Sequence, residues 1–207
     1  FQMASIFGAS QESDAFLITF SMLASIQLLQ LMSVEQFLYF YQQQKVESKE
    51  SAIAFYQVSI LFSVGIGISF FTFFQLFDTE FIRLFSVFSN KSNSTLLIED
   101  IFKYLSWGLL IYPVSYINDR LLNAESRYAL PYISETLPFV SMSVCLFLGL
   151  IQYAEITIYD VAIFKNIGML AGLFLTTFAL WRKGFFKHNL IRFTPLFREF
   201  VKNSFLM

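Results

Sequence analysis

Four polar side chains in and beside the first long apolar run could contact a ligand. They are Asp14, Gln27, Gln30 and Glu35. Because polar and ionisable groups are costly in a lipid-embedded segment, those that are kept usually face a cavity or a functional site. We therefore interpret these four as candidate lining of a substrate cavity. For Glu35 the alternative is a position beyond the membrane, since a span that starts at residue 15 could end near it. Hydrogen bonding between packed helices is an equally good interpretation of Gln27 and Gln30, which lie three residues apart and so share a helix face.

Other kinds of chemistry find little support in the sequence. It has no glycine-rich phosphate loop, no nucleophile motif and no pair of catalytic acids, so we expect no enzymatic activity. The single histidine, His188, has no cysteine, histidine or acidic cluster beside it, so we expect neither a metal site nor a cofactor. The net charge of −1 leaves no basic excess to neutralise phosphates, which argues against a nucleic-acid partner.

The composition is that of a chain embedded in lipid. Hydrophobic residues make up 56% of the sequence and charged residues 14%, whereas soluble domains carry about 25% charged residues. The 207 residues include 28 phenylalanines, more than the core of a soluble protein of this length readily encloses. An unusually apolar soluble protein is the alternative interpretation.

Five apolar runs are close to the length of about 20 residues that a helix needs to cross the bilayer core. They are residues 15–41, 52–77, 101–118, 132–153 and 161–181. We expect an all-α, polytopic transmembrane bundle with about five full spans, preceded by the end of another helix at FQMASIF. Pro113 and Pro138 lie inside runs, where neighbouring helices can satisfy the carbonyls that proline frees.

Lysines and arginines are unevenly distributed between the two sides of these runs. With five spans, the loops at 42–51 and 119–131 and the tail after residue 181 share one side. That side carries most of the 14 basic residues: Lys45, Lys49, Arg120, Arg127, Arg182, Lys183, Lys187, Arg192, Arg198 and Lys202. Because basic loops stay in the cytoplasm, we expect the start of the chain outside and its tail inside.

The end of the chain has the pattern of a separate amphipathic helix. Thr194 suits a helix N-cap and Pro195 a first helical position. Apolar residues from Leu196 to Val201 then fall on one face, opposite Arg198 and Lys202. We expect residues 1–188 to form a transmembrane lobe and residues 189–207 a cytoplasmic linker helix that leads toward a missing second lobe. A frayed tail is the alternative.

Two stretches carry a resemblance to a known family. They are FGASQESDAFLITF, at residues 7–20, and LLNAESRYALPYISETLP, at 121–138. Together they resemble the MviN/MurJ-type lipid II flippases of the multidrug/oligosaccharidyl-lipid/polysaccharide exporter superfamily, and the resemblance covers nearly the whole chain as the first of two lobes. In the second stretch it implies a structural turn motif formed by Asn123, Arg127 and Pro131.

The resemblance implies a function and its partners. A protein of this family is a multi-pass protein of the bacterial cytoplasmic membrane that moves a polyprenyl-pyrophosphate-linked saccharide by alternating access between its lobes. The implied partners are the lipid-linked oligosaccharide, membrane lipids and the second lobe of the same protein. In the family, the acid at Asp14 lines the outer part of the cavity. We also expect Asp14 to cap its helix by accepting hydrogen bonds from free N–H groups.

One departure from the family pattern affects the substrate. The family places an arginine about four turns into its second helix, where this sequence has Gln27 and no basic residue within 15–41. We therefore expect the cations that offset the pyrophosphate to come from the unseen first helix or the second lobe. Lipid II and a related cell-envelope precursor both remain open as substrates. The alternative function is a non-transporting, flippase-like lobe that scaffolds a membrane assembly.

Overall fold

The computed structural model describes residues 7, 8, 10–86, 92–152, 156–186 and 195–204. The expected helix end at FQMASIF lies almost wholly outside these residues. The described part contains no strand, and its helices are α1 (Gln11–Met32), α2 (Phe37–Glu47), α3 (Lys49–Leu76), α4 (Asp78–Ser86), α5 (Ser92–Leu105), α6 (Gly108–Ala124), α7 (Ala129–Gln152), α8 (Ile158–Arg182) and α9 (Pro195–Ser204). The all-α bundle expected from the sequence is confirmed.

Several helices begin where a side chain satisfies their free N–H groups. The hydroxyl of Ser48, which has extended backbone, accepts from Ser51 N at the start of α3. At the start of α8, Thr157 Oγ1 accepts from Asp160 N, and the Asp160 carboxylate accepts from Thr157 N at 2.9 Å. This reciprocal pair is a capping box, and it fixes the first residue of α8.

Four helical segments of the described chain are long and apolar enough to cross a membrane. They are Gln11–Glu47, Lys49–Leu76, Ala129–Ile151 and Ile158–Arg182. The first of them includes a turn at residues 33–36, which separates α1 from α2. The predicted runs at 15–41, 52–77, 132–153 and 161–181 therefore correspond to these four segments.

The expected span at 101–118 is not a continuous helix. It is divided between the end of α5 and most of α6, with a break at Ser106 and Trp107. Side chains from other helices hydrogen-bond at the break: Asn166 Nδ2 donates to Tyr104 O at 2.6 Å, and Gln75 Nε2 donates to Ser106 Oγ at 2.7 Å. These partners come from α8 and α3, so tertiary contacts satisfy the Tyr104 carbonyl and the Ser106 hydroxyl at the break.

Glycines set the close approach of two helix pairs. The pair α7–α8 is the most extensive in the bundle, and a Cβ built on Gly168 would lie 2.6 Å from Leu137 O and from Pro138 Cα. In the pair α3–α6, a Cβ on Gly67 would lie 3.0 Å from Leu110 O. Small residues at such contacts let backbones meet, which is how helices pack in a membrane.

The described core has two parts. One is a cluster around α1, α5 and the start of α8 that includes Phe16, Ile101 and Val161. The other is an aromatic cluster at the opposite end, where α2 and α3 meet α6. The apolar face predicted for the last helix packs into this aromatic cluster, since the Phe200 ring lies 5.8 Å from Phe40 and 5.6 Å from Phe55.

Thus α9 is seated on α2 and α3. Its predicted N-cap, Thr194, and the rest of 187–194 lie outside the described residues, as does His188. The division into a lobe at 1–188 and a linker at 189–207 stays a prediction.

Large apolar side chains cover the outside of the long helices. On α7 they include Val140, Phe147 and Leu150, each about half exposed. A soluble protein rarely exposes so wide an apolar surface, whereas lipid chains contact such a surface without penalty.

Candidate functional site

A cavity of about 390 Å³ lies between α1, α6, α7 and α8. Its volume is in the range of small-molecule sites. The residues that line it combine aromatic rings with a few polar and charged groups: Phe20, Ala24, Gln27, Tyr112, Ser115, Tyr116, Asp119, Ser134, Glu135, Pro138, Phe139, Lys165 and Met169.

Gln27 and Gln30 lie on neighbouring strips of α1 but have different surroundings. Gln27 is half-buried and lines the cavity. Gln30 is fully buried, and its Nε2 donates to Leu109 O at 3.0 Å. The amide of Gln27 is thus available to a ligand, whereas that of Gln30 connects α1 to α6.

The partner of Gln30 is a carbonyl that proline leaves free. In a regular helix Leu109 O would accept from the N–H of residue 113, but Pro113 has none. The Gln30 amide takes the place of that donor, as expected for proline in a membrane helix. The interpretation of Gln30 as a packing residue accounts for this geometry.

Asp14 does not cap its helix, which corrects the cap expected from the sequence. The N-cap of α1 is Ser10, whose hydroxyl accepts from Ser13 N at 3.3 Å. Asp14 follows in the first turn, exposed, where the positive end of the helix dipole favours a carboxylate. Glu35 is also exposed, in the turn between α1 and α2, so neither acid lines the cavity described above.

Lys165 lines the cavity and was not among the residues singled out from the sequence. Its side chain is only 5% exposed, and Nζ donates no hydrogen bond to any described residue. The ammonium lies over the ring of Phe20, 5.2 Å from its centroid, which offsets part of the cost of burying the charge. The signal in the sequence was a single cation within an apolar run.

The carboxylates of the cavity lie toward the other end. Asp119 is buried, with Oδ1 unpaired among the described residues, and Glu135 is exposed at the rim. The neighbour of Asp119 on α6, Asn118, donates to Thr177 Oγ1 at 2.9 Å. Thr177 therefore marks the level of Asp119 along α8. Lys165 lies 12 residues before Thr177, about 18 Å along the helix at 1.5 Å per residue. The cavity thus has a positive charge at one end and negative charge at the other.

The turn that contains Asn123 and Arg127 has a defined backbone geometry. Ser126 is left-handed, with φ of 57°, and the N–H groups of Ser126 and Arg127 donate to Asn123 O and Leu122 O. These two bonds form a Schellman motif, which satisfies the last carbonyls of α6. Pro131 follows in the first turn of α7, where its missing N–H removes no helical bond.

Glu125, the C-cap of α6, joins three elements beyond the cavity. Its carboxylate accepts from Lys45 Nζ at 2.7 Å and from Tyr41 Oη at 3.1 Å, and Lys183 Nζ lies 3.8 Å away. Partial burial opposes the charge of Glu125, but the hydrogen bond and charge of Lys45, with Tyr41 and Lys183, outweigh it and hold the pKa of the carboxyl below its ordinary value. The cluster thereby ties α2 and α8 to the end of α6.

The groups that line the cavity suit the binding of a ligand. Among the described residues, no group of three or more His, Cys, Asp or Glu side chains is placed to hold a metal ion. The cavity instead offers amide and hydroxyl groups, aromatic rings and separated charges, which together suit an amphiphilic or charged ligand.

The family model described as lipid II flippase MurJ matches residues 3–207 of the chain. No significant match was found among curated proteins or among solved structures.

Proposed function

The chain belongs to the lipid II flippase MurJ family, and on that basis we propose that it moves a polyprenyl-pyrophosphate-linked saccharide across the membrane. The substrate is lipid II or a related cell-envelope precursor. The observation that carries the proposal is the cavity between α1, α6, α7 and α8, with Gln27 and Lys165 in its lining. A polar, charged cavity inside an apolar bundle is costly unless it serves a ligand.

Transport in this proposal requires no covalent chemistry. The lobe at 1–188 works with a second lobe, connected through the helix within 189–207, and the two alternate between inward- and outward-open states. Asp14 lies outside the cavity described here and contributes at the outer side, while Gln27 offers neutral hydrogen bonds to sugar hydroxyls.

Steric blocking tests the proposal. Ala24 lines the cavity, whereas Leu28, one turn later on α1, is 61% exposed on the apolar surface. The full-length protein would be reconstituted in liposomes with a fluorescent lipid-linked saccharide. We expect wild type and Leu28→Trp to flip the lipid and Ala24→Trp to lose most of the activity. Flipping no faster than in protein-free liposomes would contradict transport and favour the scaffold function.

The proposed orientation places Lys45 and Arg127 in the cytoplasm and Gln11 outside. To test this, Cys145, the single cysteine of the sequence, would be replaced by serine, and one cysteine would be introduced at each position in turn. Reaction with an impermeant thiol reagent on intact cells then shows which positions face outward. We expect labelling at position 11 and none at 45 or 127 until the cells are opened. The reverse pattern would invert the orientation.

A further inference from the structure

Lys165 is a buried cation without a counter-charge among the described residues. A lone ammonium in a low-dielectric site costs several kcal/mol unless an anion or hydrogen bonds compensate for it. The ring of Phe20 is its only described compensation, at 5.2 Å. The side chain nevertheless lies against open volume, in which an anionic group has room.

The carboxylates of the same cavity are too far along the helices to neutralise Lys165. A Cβ on Gly172 would lie 2.9 Å from Ser134 O, so Glu135 is near the level of Gly172. Lys165 precedes Gly172 by seven residues, about 10 Å along α8, and it lies still farther from the level of Asp119. Neither Lys165 nor Asp119 belongs to an ion pair given for the described residues, such as Lys45 with Glu125 or Lys103 with Glu99.

The lining between the two charged ends is suited to a sugar. Gln27 offers a donor and an acceptor, Tyr112 a hydroxyl and a ring, and Asp119 and Glu135 accept hydrogen bonds from hydroxyl groups. A ligand with an anion at one end and several hydroxyls at the other matches this order of groups. A glycosyl phosphate has that structure.

From this match we infer that the cavity binds the phosphate and the adjoining sugar of the lipid-linked substrate, with Lys165 on the phosphate and Asp119 and Glu135 on sugar hydroxyls. The inference rests on the proposed function and names the contacts of that site. It also assigns a cation within this lobe, where the sequence had led us to expect cations from elsewhere.

The phosphate contact is tested by binding of farnesyl pyrophosphate to the full-length protein in detergent, measured by calorimetry. We expect Lys165→Met to weaken binding at least about tenfold, the loss typical of a hydrogen bond to a charged group. Lys165→Arg keeps most of the affinity. The control is Lys103→Met, since Lys103 is 47% exposed and pairs with Glu99. Equal affinity of wild type and Lys165→Met overturns the inference.

A second variant keeps the test valid if Lys165→Met fails to fold. Phe20→Glu places a carboxylate beside the ammonium, which then pairs with the protein instead of the ligand. We expect farnesyl pyrophosphate binding to fall as in Lys165→Met. Undiminished binding to a folded Phe20→Glu protein overturns the phosphate contact.

The sugar contact is tested with farnesyl pyrophosphate that carries one hexose. We expect Glu135→Gln to lower the affinity for this glycosylated ligand several-fold and to leave the affinity for the unglycosylated one unchanged. If Glu135→Gln changes neither affinity, the sugar assignment is wrong. Phosphatidylglycerol carries a phosphate without this sugar, so its displacement of the glycosylated ligand at equal concentration would make a phospholipid headgroup the occupant and overturn the inference.

Failure of the inference is distinguishable from failure of the proposed function. If the wild type flips the lipid-linked saccharide and Lys165→Met flips and binds as well, the inference fails and the function stands. If the wild type does not flip it, yet binding of the glycosylated ligand requires Lys165 and Glu135, the function fails and the contacts stand.

Discussion

Two glutamines three residues apart on α1 show how the surroundings decide what a side chain does. Both interrupt the same apolar run, and their types are identical. Gln30 meets a carbonyl that Pro113 leaves free, while Gln27 meets open volume. The first is required by the backbone of α6, and the second is available to a ligand.

Replacement by leucine separates these two roles. We expect Gln30→Leu to lower the free energy of unfolding by about 1–3 kcal/mol, because the buried Leu109 carbonyl loses its partner. Gln27→Leu should change stability little and should weaken saccharide recognition. Thermal unfolding of both variants in detergent measures the difference. Equal destabilisation by the two substitutions would contradict the assignment.

Polarity within an apolar run is the only signal in the sequence that points to residues of the cavity. Gln27 stands out in the sequence because it interrupts an apolar run, and in the structure it lines the cavity. In the sequence Lys165 is a single charge within an apolar run, and only the fold shows that it is buried against Phe20 in the cavity. The cap of α1 was misassigned to Asp14, since both Ser10 and Asp14 suit a helix start and only backbone geometry distinguishes them.

Some glycines of the bundle are required for close helix packing, and others are not. Gly168 has Leu137 O, Pro138 Cα and Ser141 Oγ within 2.7 Å of where a Cβ would stand. Gly65 on α3 has nothing within 4 Å of that point. The two residues therefore form a matched pair for testing the contact.

Alanine substitutions at these positions should act in opposite directions. We expect Gly168→Ala to destabilise by about 1–3 kcal/mol through overpacking, and Gly65→Ala to stabilise by about 0.5–1 kcal/mol through the helix propensity of alanine. Thermal midpoints of the two variants give the comparison. A neutral Gly168→Ala would mean that α7 and α8 pack less tightly than described.

Helices could be predicted from the sequence where the length and composition of an apolar run determine them. Four of the five apolar runs form the long helical segments, the first of which contains the turn at residues 33–36, because about 20 apolar residues in lipid satisfy their backbone only as helix. The run at 101–118 is also divided, and at its break Asn166 and Gln75, from distant parts of the chain, hydrogen-bond to Tyr104 and Ser106. Such contacts leave no local pattern in the sequence.

At the scale of the molecule, the Glu125 cluster fastens α2 and α8 to the end of α6. Since the folded pKa of Glu125 lies below its ordinary value of 4.5, its stabilisation is present above that value and is lost as the pH falls through the lowered pKa. The groups are partly exposed, so the effect should be about 1 kcal/mol or less. We expect the stability difference between wild type and Glu125→Gln to shrink as the pH falls from 7 to about 3, in thermal unfolding scans. A difference that stays constant or grows would contradict it.

On the proposed function, the saccharide of the transported lipid enters the cavity within this lobe. Phe139 lines the cavity and is 58% exposed, whereas Phe147, two turns later on α7, is 55% exposed on the lipid-facing surface. Benzoylphenylalanine at either position is a conservative replacement that crosslinks its neighbours on illumination.

The most direct measurement is photocrosslinking of a lipid-linked saccharide, radiolabelled in the sugar, to each variant of the full-length protein in membranes. We expect strong labelling from position 139, which unlabelled substrate competes away, and little labelling from position 147. Equal labelling from both positions, or labelling from position 147 alone, would show that the sugar does not enter the cavity.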